Sequence, residues 1–162
     1  MINKIFKSPA NNSNLQEVNG VLLDDLGNEF PIGENGIPNL IFPKVLHKED
    51  EESMQFYQGR ATQYDETLHL TFFTHSENEQ DVRNSFIDNL NINKNSKVLE
   101  IACGTGRDSI LISKRLSGSG CELHVQDISE DMMSKCYEKL KHLDINKSFC
   151  LSNACYLPYP DN

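Results

Sequence analysis

Lys97-Val98-Leu99-Glu100-Ile101-Ala102-Cys103-Gly104-Thr105-Gly106 decides the fold. Val98, Leu99, Ile101 and Ala102 form a nearly continuous apolar run, the pattern of a parallel strand covered on both faces. Glu100 is the one acid that interrupts it. Gly104 and Gly106 let the backbone turn tightly and come close to a ligand. A helical pattern over 107–117 follows at once, so the free amides of the turn lie at a helix N-terminus. In an open α/β sheet ligands bind at such a place. The same stretch is also compatible with a tight strand-to-helix turn that holds nothing.

Downstream, the same alternation repeats. Ile110, Leu111, Ile112 and Leu116 mark the apolar face of the first helix, and Gly118 and Gly120 stop it. Glu122 to Asp127 reads as a second strand ending in an acid. Ser129 is a good N-cap, with Glu130 and Asp131 suited to the dipole of the first turn. Met132, Met133, Cys136, Tyr137, Leu140 and Leu143 give the buried face of the second helix. Lys147 to Ser152 reads as a third strand, and a polar, proline-containing segment ends the sequence. The order β-α-β-α-β predicts an α/β fold, a Rossmann-like parallel sheet with right-handed crossovers.

Upstream, residues 51–75 predict one helix with Tyr57, Ala61, Tyr64 and Leu68 on a single face. A second helix is expected over 78–90, facing inward through Val82, Phe86, Ile87 and Leu90. Residues 1–45 read as a small β-rich segment, with short strands at Val21–Leu23, Glu29–Ile32 and Asn39–Phe42 and turns at 25–28 and 33–36. The predicted domains are therefore 1–45 and 46–162.

Composition narrows the function. A length of 162 residues suffices for one domain with a real core, and 38% hydrophobic with 24% charged residues is the balance of a soluble globular protein. No apolar run reaches the length of a membrane span, and Met1-Ile2-Asn3-Lys4 has no apolar region behind it, so neither a membrane anchor nor a secretory signal is expected. The net charge is −9. Residues 1–96 hold 7 basic and 15 acidic residues, and 97–162 hold 8 and 9. That balance argues against direct binding of nucleic acid or anionic membranes. Five cysteines, with no C-x-x-C pair, read as reduced thiols packed in the core of a cytoplasmic protein; no metal site is expected.

Two ligand classes use this half-fold, dinucleotides and S-adenosylmethionine, and both place an acid at the end of strand two against ribose hydroxyls. Asp127 lies 21 residues past Gly106, close to that separation. A dinucleotide fingerprint starting at Gly104 needs glycine at 109, where Ser109 stands. Glu100 beside the turn suits a cationic amine better than a pyrophosphate.

Val98 to Arg107 resembles the first motif of the class I S-adenosylmethionine-dependent methyltransferases. Val125-Gln126-Asp127-Ile128-Ser129 with Met132 resembles the second, and Asn153 to Asp161 the third. Phe56-Tyr57, Ala61 and Tyr64-Asp65 resemble the helix that caps the cofactor there. The resemblance implies S-adenosyl-L-methionine as cofactor and methyl transfer to an unidentified acceptor. It implies that Glu100 binds the methionine amine and that Ala102, Cys103, Gly104, Thr105 and Gly106 line the cofactor. Asp127 would take the ribose hydroxyls, Ile128 would pack on adenine, Asn153 and Ala154 would meet the adenine edge, and Tyr57 and Tyr64 would belong to the cap. Ala102 departs from the usual glycine, and Asn153 from a common aspartate. Ahead of this, Phe30-Pro31-Ile32 and Gly36-Ile37-Pro38-Asn39-Leu40 resemble a Trm112-like segment without its cysteines.

Only three of that family's seven strands are expected in this sequence. It therefore reads as the cofactor-binding half of an enzyme, with no catalytic residue assignable. The alternative is a non-catalytic cofactor-binding or interaction module that needs a partner subunit. Either way, the strand at 98–102 is expected to present an open edge to a second copy or another chain.

Overall fold

Asn19 (φ 51°) and Gly20 (φ 80°) are both left-handed and form the two-residue turn of a β-hairpin. In this computed structural model, which describes residues 5–93, 95–116 and 120–161, the hairpin joins β1 (Gln16–Val18) to β2 (Val21–Leu23). β3 (Glu29–Pro31) completes an antiparallel sheet in the order β1-β2-β3. The Asp24 carboxylate holds the β2–β3 turn, accepting from the Leu26 and Asn28 amides at 3.0 and 2.8 Å and from Ser8 Oγ at 2.8 Å. Leu22 and Phe30 face inward and share a core with Phe6, Leu40 and Cys150.

No strand forms over Asn39–Phe42, contrary to expectation. Pro38 has no N–H to give a ladder. Residues 38–40 instead straddle Leu151: the Leu40 amide donates to Leu151 O at 2.8 Å, and the Leu151 amide donates to Pro38 O at 3.0 Å.

The helix expected over 51–75 is two helices, α1 (Lys48–Tyr57) and α2 (Ala61–Thr74). Gly59 breaks it with φ +71°, a conformation glycine adopts without steric cost. Its amide donates to the Asp131 carboxylate, which fixes the bend. α3 (Glu79–Asp88) starts at Asn78, whose side chain accepts from the amides of Gln80 and Asp81 at 2.9 and 3.1 Å. The predicted inward face of α3 is only partly so. Ile87 is buried, but Phe86 is 67% exposed, and Val82 and Leu90 are exposed too. Polar contacts fill the other side: Arg83 pairs with Asp108, and Arg115 with Asp88.

The parallel sheet follows, with β4 (Lys97–Ile101), α4 (Arg107–Arg115), β5 (Glu122–Asp127), α5 (Glu130–Leu140) and β6 (Asn146–Leu151). Its order is β4-β5-β6, both pairs parallel, with Glu100 opposite Val125 and Val125 opposite Phe149. The expected stop at Gly118 lies outside the described residues. Leu123 and Val125 are fully buried against Leu111, Ile112, Met133, Cys136 and Leu140. His124 is structural, as its place on a strand suggests: Nδ1 lies 2.6 Å from Ser148 Oγ and Nε2 3.0 Å from Glu122 Oε2. Cys103, Cys121, Cys136 and Cys150 are buried, and none of the five cysteines is in a disulfide among the described residues. Cys155 is exposed, in the turn after β6 rather than in the core.

β4 is an edge strand among the described residues. Leu99 and Ile101 on it are 37% and 45% exposed.

Candidate functional site

The carboxyl ends of β4, β5 and β6 converge with the N-termini of α4 and α5, and the chemistry-bearing residues lie there. After β4 the backbone turns left-handed at Ala102 (φ 54°), Gly104 (φ 55°) and Gly106 (φ 79°). For Ala102 that conformation costs on the order of 1 kcal/mol, which a glycine would avoid. The two glycines are needed for different reasons. A Cβ on Gly106 would lie 2.7 Å from Cys136 Sγ and 3.0 Å from Cys136 Cα, so Gly106 lets α4 approach α5. A Cβ on Gly104 would meet nothing within 4 Å, so that side of the loop is open.

Asp127 ends β5 and ties the loop to the sheet. Its Oδ2 accepts from the Gly104 amide at 2.7 Å and its Oδ1 from the Ser129 amide at 2.8 Å. Burial raises its pKa, and these backbone donors offset part of the rise. A carboxylate offers about four lone-pair sites, so acceptor capacity remains on Asp127 after both bonds. Ile128 beside it is half-buried.

Glu100 points toward α4, where Ser109 Oγ donates to its Oε2 at 2.6 Å. Burial pushes its pKa up to about 7, and the nearby Asp108 and Asp127 add to the shift. Ser109 is fully buried in this bond, at the position where a dinucleotide loop has its third glycine. Asp108 Oδ1 is buried with no hydrogen-bond partner among the described residues. Glu100 thus keeps one oxygen without a hydrogen bond among the described residues, a setting for a cation, while Asp108 Oδ2 is already paired with Arg83.

Asn153, two residues past β6, is buried. Its Oδ1 accepts from the Cys155 amide at 2.9 Å and its Nδ2 donates to Asp50 Oδ2 on α1 at 2.8 Å. Ala154 is exposed next to it. Tyr57 and Tyr64 pack edge to face, with ring centroids 6.0 Å apart, where α1 meets α2.

A polar network that the sequence did not reveal fastens α2 and α3 to the loop. Thr105 Oγ1 donates to Asp65 Oδ1 at 2.5 Å, and Lys139 Nζ lies 2.6 Å from Asp65 Oδ2. Burial raises the Asp65 carboxyl, but Lys139 and Thr105 more than offset it and hold it below the usual carboxylate range. Arg107 donates to both oxygens of buried Glu79, which also accepts from Arg83 Nε at 2.7 Å. The Glu79–Arg83 spacing of i,i+4 was the only sequence signal for this cluster. A cleft of about 550 Å³ opens between α1 and the N-terminus of α5, lined by Lys44, Leu46, Met54, Gln58, Ser129 and Asp131.

Known proteins are similar to parts of this chain. A family model described as a methyltransferase domain matches residues 98–162. The demethylmenaquinone methyltransferase of Staphylococcus carnosus is 31% identical over 114 residues, covering 70% of this chain and 45% of that protein. The ubiquinone/menaquinone biosynthesis C-methyltransferase UbiE of Pasteurella multocida is 37% identical over 78 residues, 47% of this chain and 29% of that protein. Among solved structures, the MccD protein aligns at 34% identity over 49% of this chain and 35% of its own, with a TM-score of 0.42. The chain spans less than half the length of these curated relatives. Residues 98–162, which carry the strand, loop and acid described above, thus match a methyltransferase domain of the class I S-adenosylmethionine-dependent type.

Proposed function

We propose that this chain binds S-adenosylmethionine across the carboxyl ends of β4, β5 and β6 and forms the cofactor-binding part of a methyltransferase. One observation carries the reading. The Asp127 carboxylate is held by two backbone amides with acceptor capacity to spare, next to a loop whose Gly104 side is open. The residues fit the group. Asp127 accepts from vicinal ribose hydroxyls, and Glu100 faces a cationic amine. Ile128 offers an apolar surface to the base, with Asn153 and Ala154 at its edge. Cys103 and Thr105 shape the loop, while Tyr57 and Tyr64 sit on the helical cap.

The cofactor supplies an electrophilic sulfonium methyl. The chain's part is to hold and orient it, and to keep Glu100 and Asp127 as acceptors. For a nucleophilic acceptor, alignment accounts for most of the rate, and no general base is required. The relatives' names support a small-molecule acceptor. We infer a cytoplasmic location from the buried thiols of Cys103, Cys136 and Cys150.

Replacing Asp127 tests the site. Asp127→Ala is expected to weaken S-adenosylhomocysteine binding by about 1–3 kcal/mol in calorimetry, the scale of leaving buried hydroxyls unpaired. Equal binding by both proteins removes Asp127 from the site.

The outer edge of β4 supports a partner as well. Its outer amides and carbonyls, unpaired among the described residues, are with exposed Leu99 and Ile101 a template for another strand. Light scattering of the 162-residue chain is expected to show mass rising with concentration. A constant monomer mass, with slow hydrogen exchange at residues 98–102, counts against an open edge.

A further inference from the structure

We propose that Asp50, on α1, reads the exocyclic amino group of the cofactor's adenine, supplying from a helix the carboxylate that position 153 lacks. The inference rests on the cofactor reading above.

The argument starts from the Asn153 amide. The Cys155 N–H can only donate and the Asp50 carboxylate can only accept, so the pair fixes which end of the amide is which. Oδ1 turns back to Cys155 at 2.9 Å, and Nδ2 is directed at Asp50 at 2.8 Å. Asn153 therefore presents a donor where a nucleobase amine needs an acceptor. Burial of Asn153 keeps the amide in that orientation.

Asp50 has the complementary chemistry. Oδ2 takes the Asn153 amide, and Oδ1 makes no hydrogen bond among the described residues. The residue is half-buried in the first turn of α1, where the helix dipole favours a carboxylate. Its position suits a base. Asp127 and Leu151 pair at the ends of β5 and β6, strands about 4.8 Å apart. In the cofactor reading above, Ile128 and residues 153–154 flank the base, and the Asp50 carboxylate lies beside Asn153. An amine donating to Asp50 Oδ1 then completes a chain from the Cys155 amide through Asn153 to the base.

The consequence is selectivity at one atom. A 6-amino purine donates to Asp50, whereas a 6-oxo purine turns a carbonyl oxygen against its carboxylate. Asp50→Asn keeps the shape and can still accept from Asn153, but turns an N–H toward the base.

Calorimetry with S-adenosylhomocysteine and its deaminated analogue, S-inosylhomocysteine, tests this on wild type, Asp50→Asn and Asp50→Ala, with circular dichroism to confirm folding. Wild type is expected to prefer the amino compound roughly tenfold or more, the scale of one hydrogen bond to a charged group. Asp50→Ala should lose most of that preference, and Asp50→Asn should move it toward the oxo compound. In Asp50→Ala, a second change of Asn153→Asp should restore it. A merely structural role for Asp50 would weaken both ligands alike. Wild type without a preference, or variants that keep it, overturns this inference alone. Wild type that binds neither compound overturns the cofactor reading, and this inference with it.

Discussion

Gly104→Val is expected to reduce S-adenosylhomocysteine affinity by roughly 100-fold or more, while Gly27→Val leaves it nearly unchanged. Both glycines are left-handed, with φ +55° and +80°, and a Cβ on either meets nothing within 4 Å. Valine therefore brings a similar backbone strain at each, on the order of 1–2 kcal/mol, without a clash. Both variants should fold and melt somewhat lower than wild type. They differ in what the open space is for. At Gly104 it adjoins the amide that Asp127 holds, and the new side chain fills the approach of the ligand. At Gly27 it is a turn between β2 and β3. A folded Gly104→Val that binds normally would show that no ligand approaches this loop.

Glu100→Gln is expected to make the ligand-free protein more stable at pH 8 and the ligand weaker. Burial raises the Glu100 pKa from 4.5 to about 7. A carboxyl raised in this way favours folding fully below the unfolded value, and that contribution is lost as pH rises through about 7. Above it, the buried charge costs on the order of 3 kcal/mol relative to the neutral acid. Gln cannot ionise, yet its carbonyl still accepts from Ser109 Oγ. The variant should thus melt higher than wild type at pH 8 and about equally at pH 5. A bound ammonium loses its charge partner, so affinity should fall roughly tenfold or more. Wild-type affinity should strengthen as pH rises through 7, a trend absent from the variant. A variant less stable at pH 8 with unchanged affinity contradicts a cation role for Glu100.

The sheet was readable because its signals are local and repeated. The apolar runs around Leu99 and Leu123, the glycines after β4, and Ser129 ahead of α5 each specify one conformation. Asp127 was readable from its distance to the loop. In the N-terminal segment, β1 and its Asn19-Gly20 turn were not anticipated, although Asn-Gly is a strong hairpin signal, and the apolar run 39–42 suggests a strand that Pro38 limits to one bridge. A single helix over 51–75 follows the apolar period, but Gly59 outweighs it. The face of α3 misleads because Arg83 and Asp88, not Phe86, meet α4. The Asp65–Thr105–Lys139 and Glu79–Arg107 contacts join residues far apart in sequence, and no local pattern encodes such a meeting. The Asp50–Asn153 pair is of the same kind.

The central claim, that the strand ends hold an adenosyl cofactor, is most directly tested by backbone-amide NMR of the labelled chain titrated with S-adenosylhomocysteine and, separately, NAD. The amides of Gly104 and Ser129, both donating to Asp127, should shift with those of 100–106 and 153–155 on adding the first compound, and stay in place with the second. Saturating S-adenosylhomocysteine that leaves Gly104 and Ser129 unmoved, or shifts only residues lining the neighbouring cleft such as Lys44 and Met54, would contradict it.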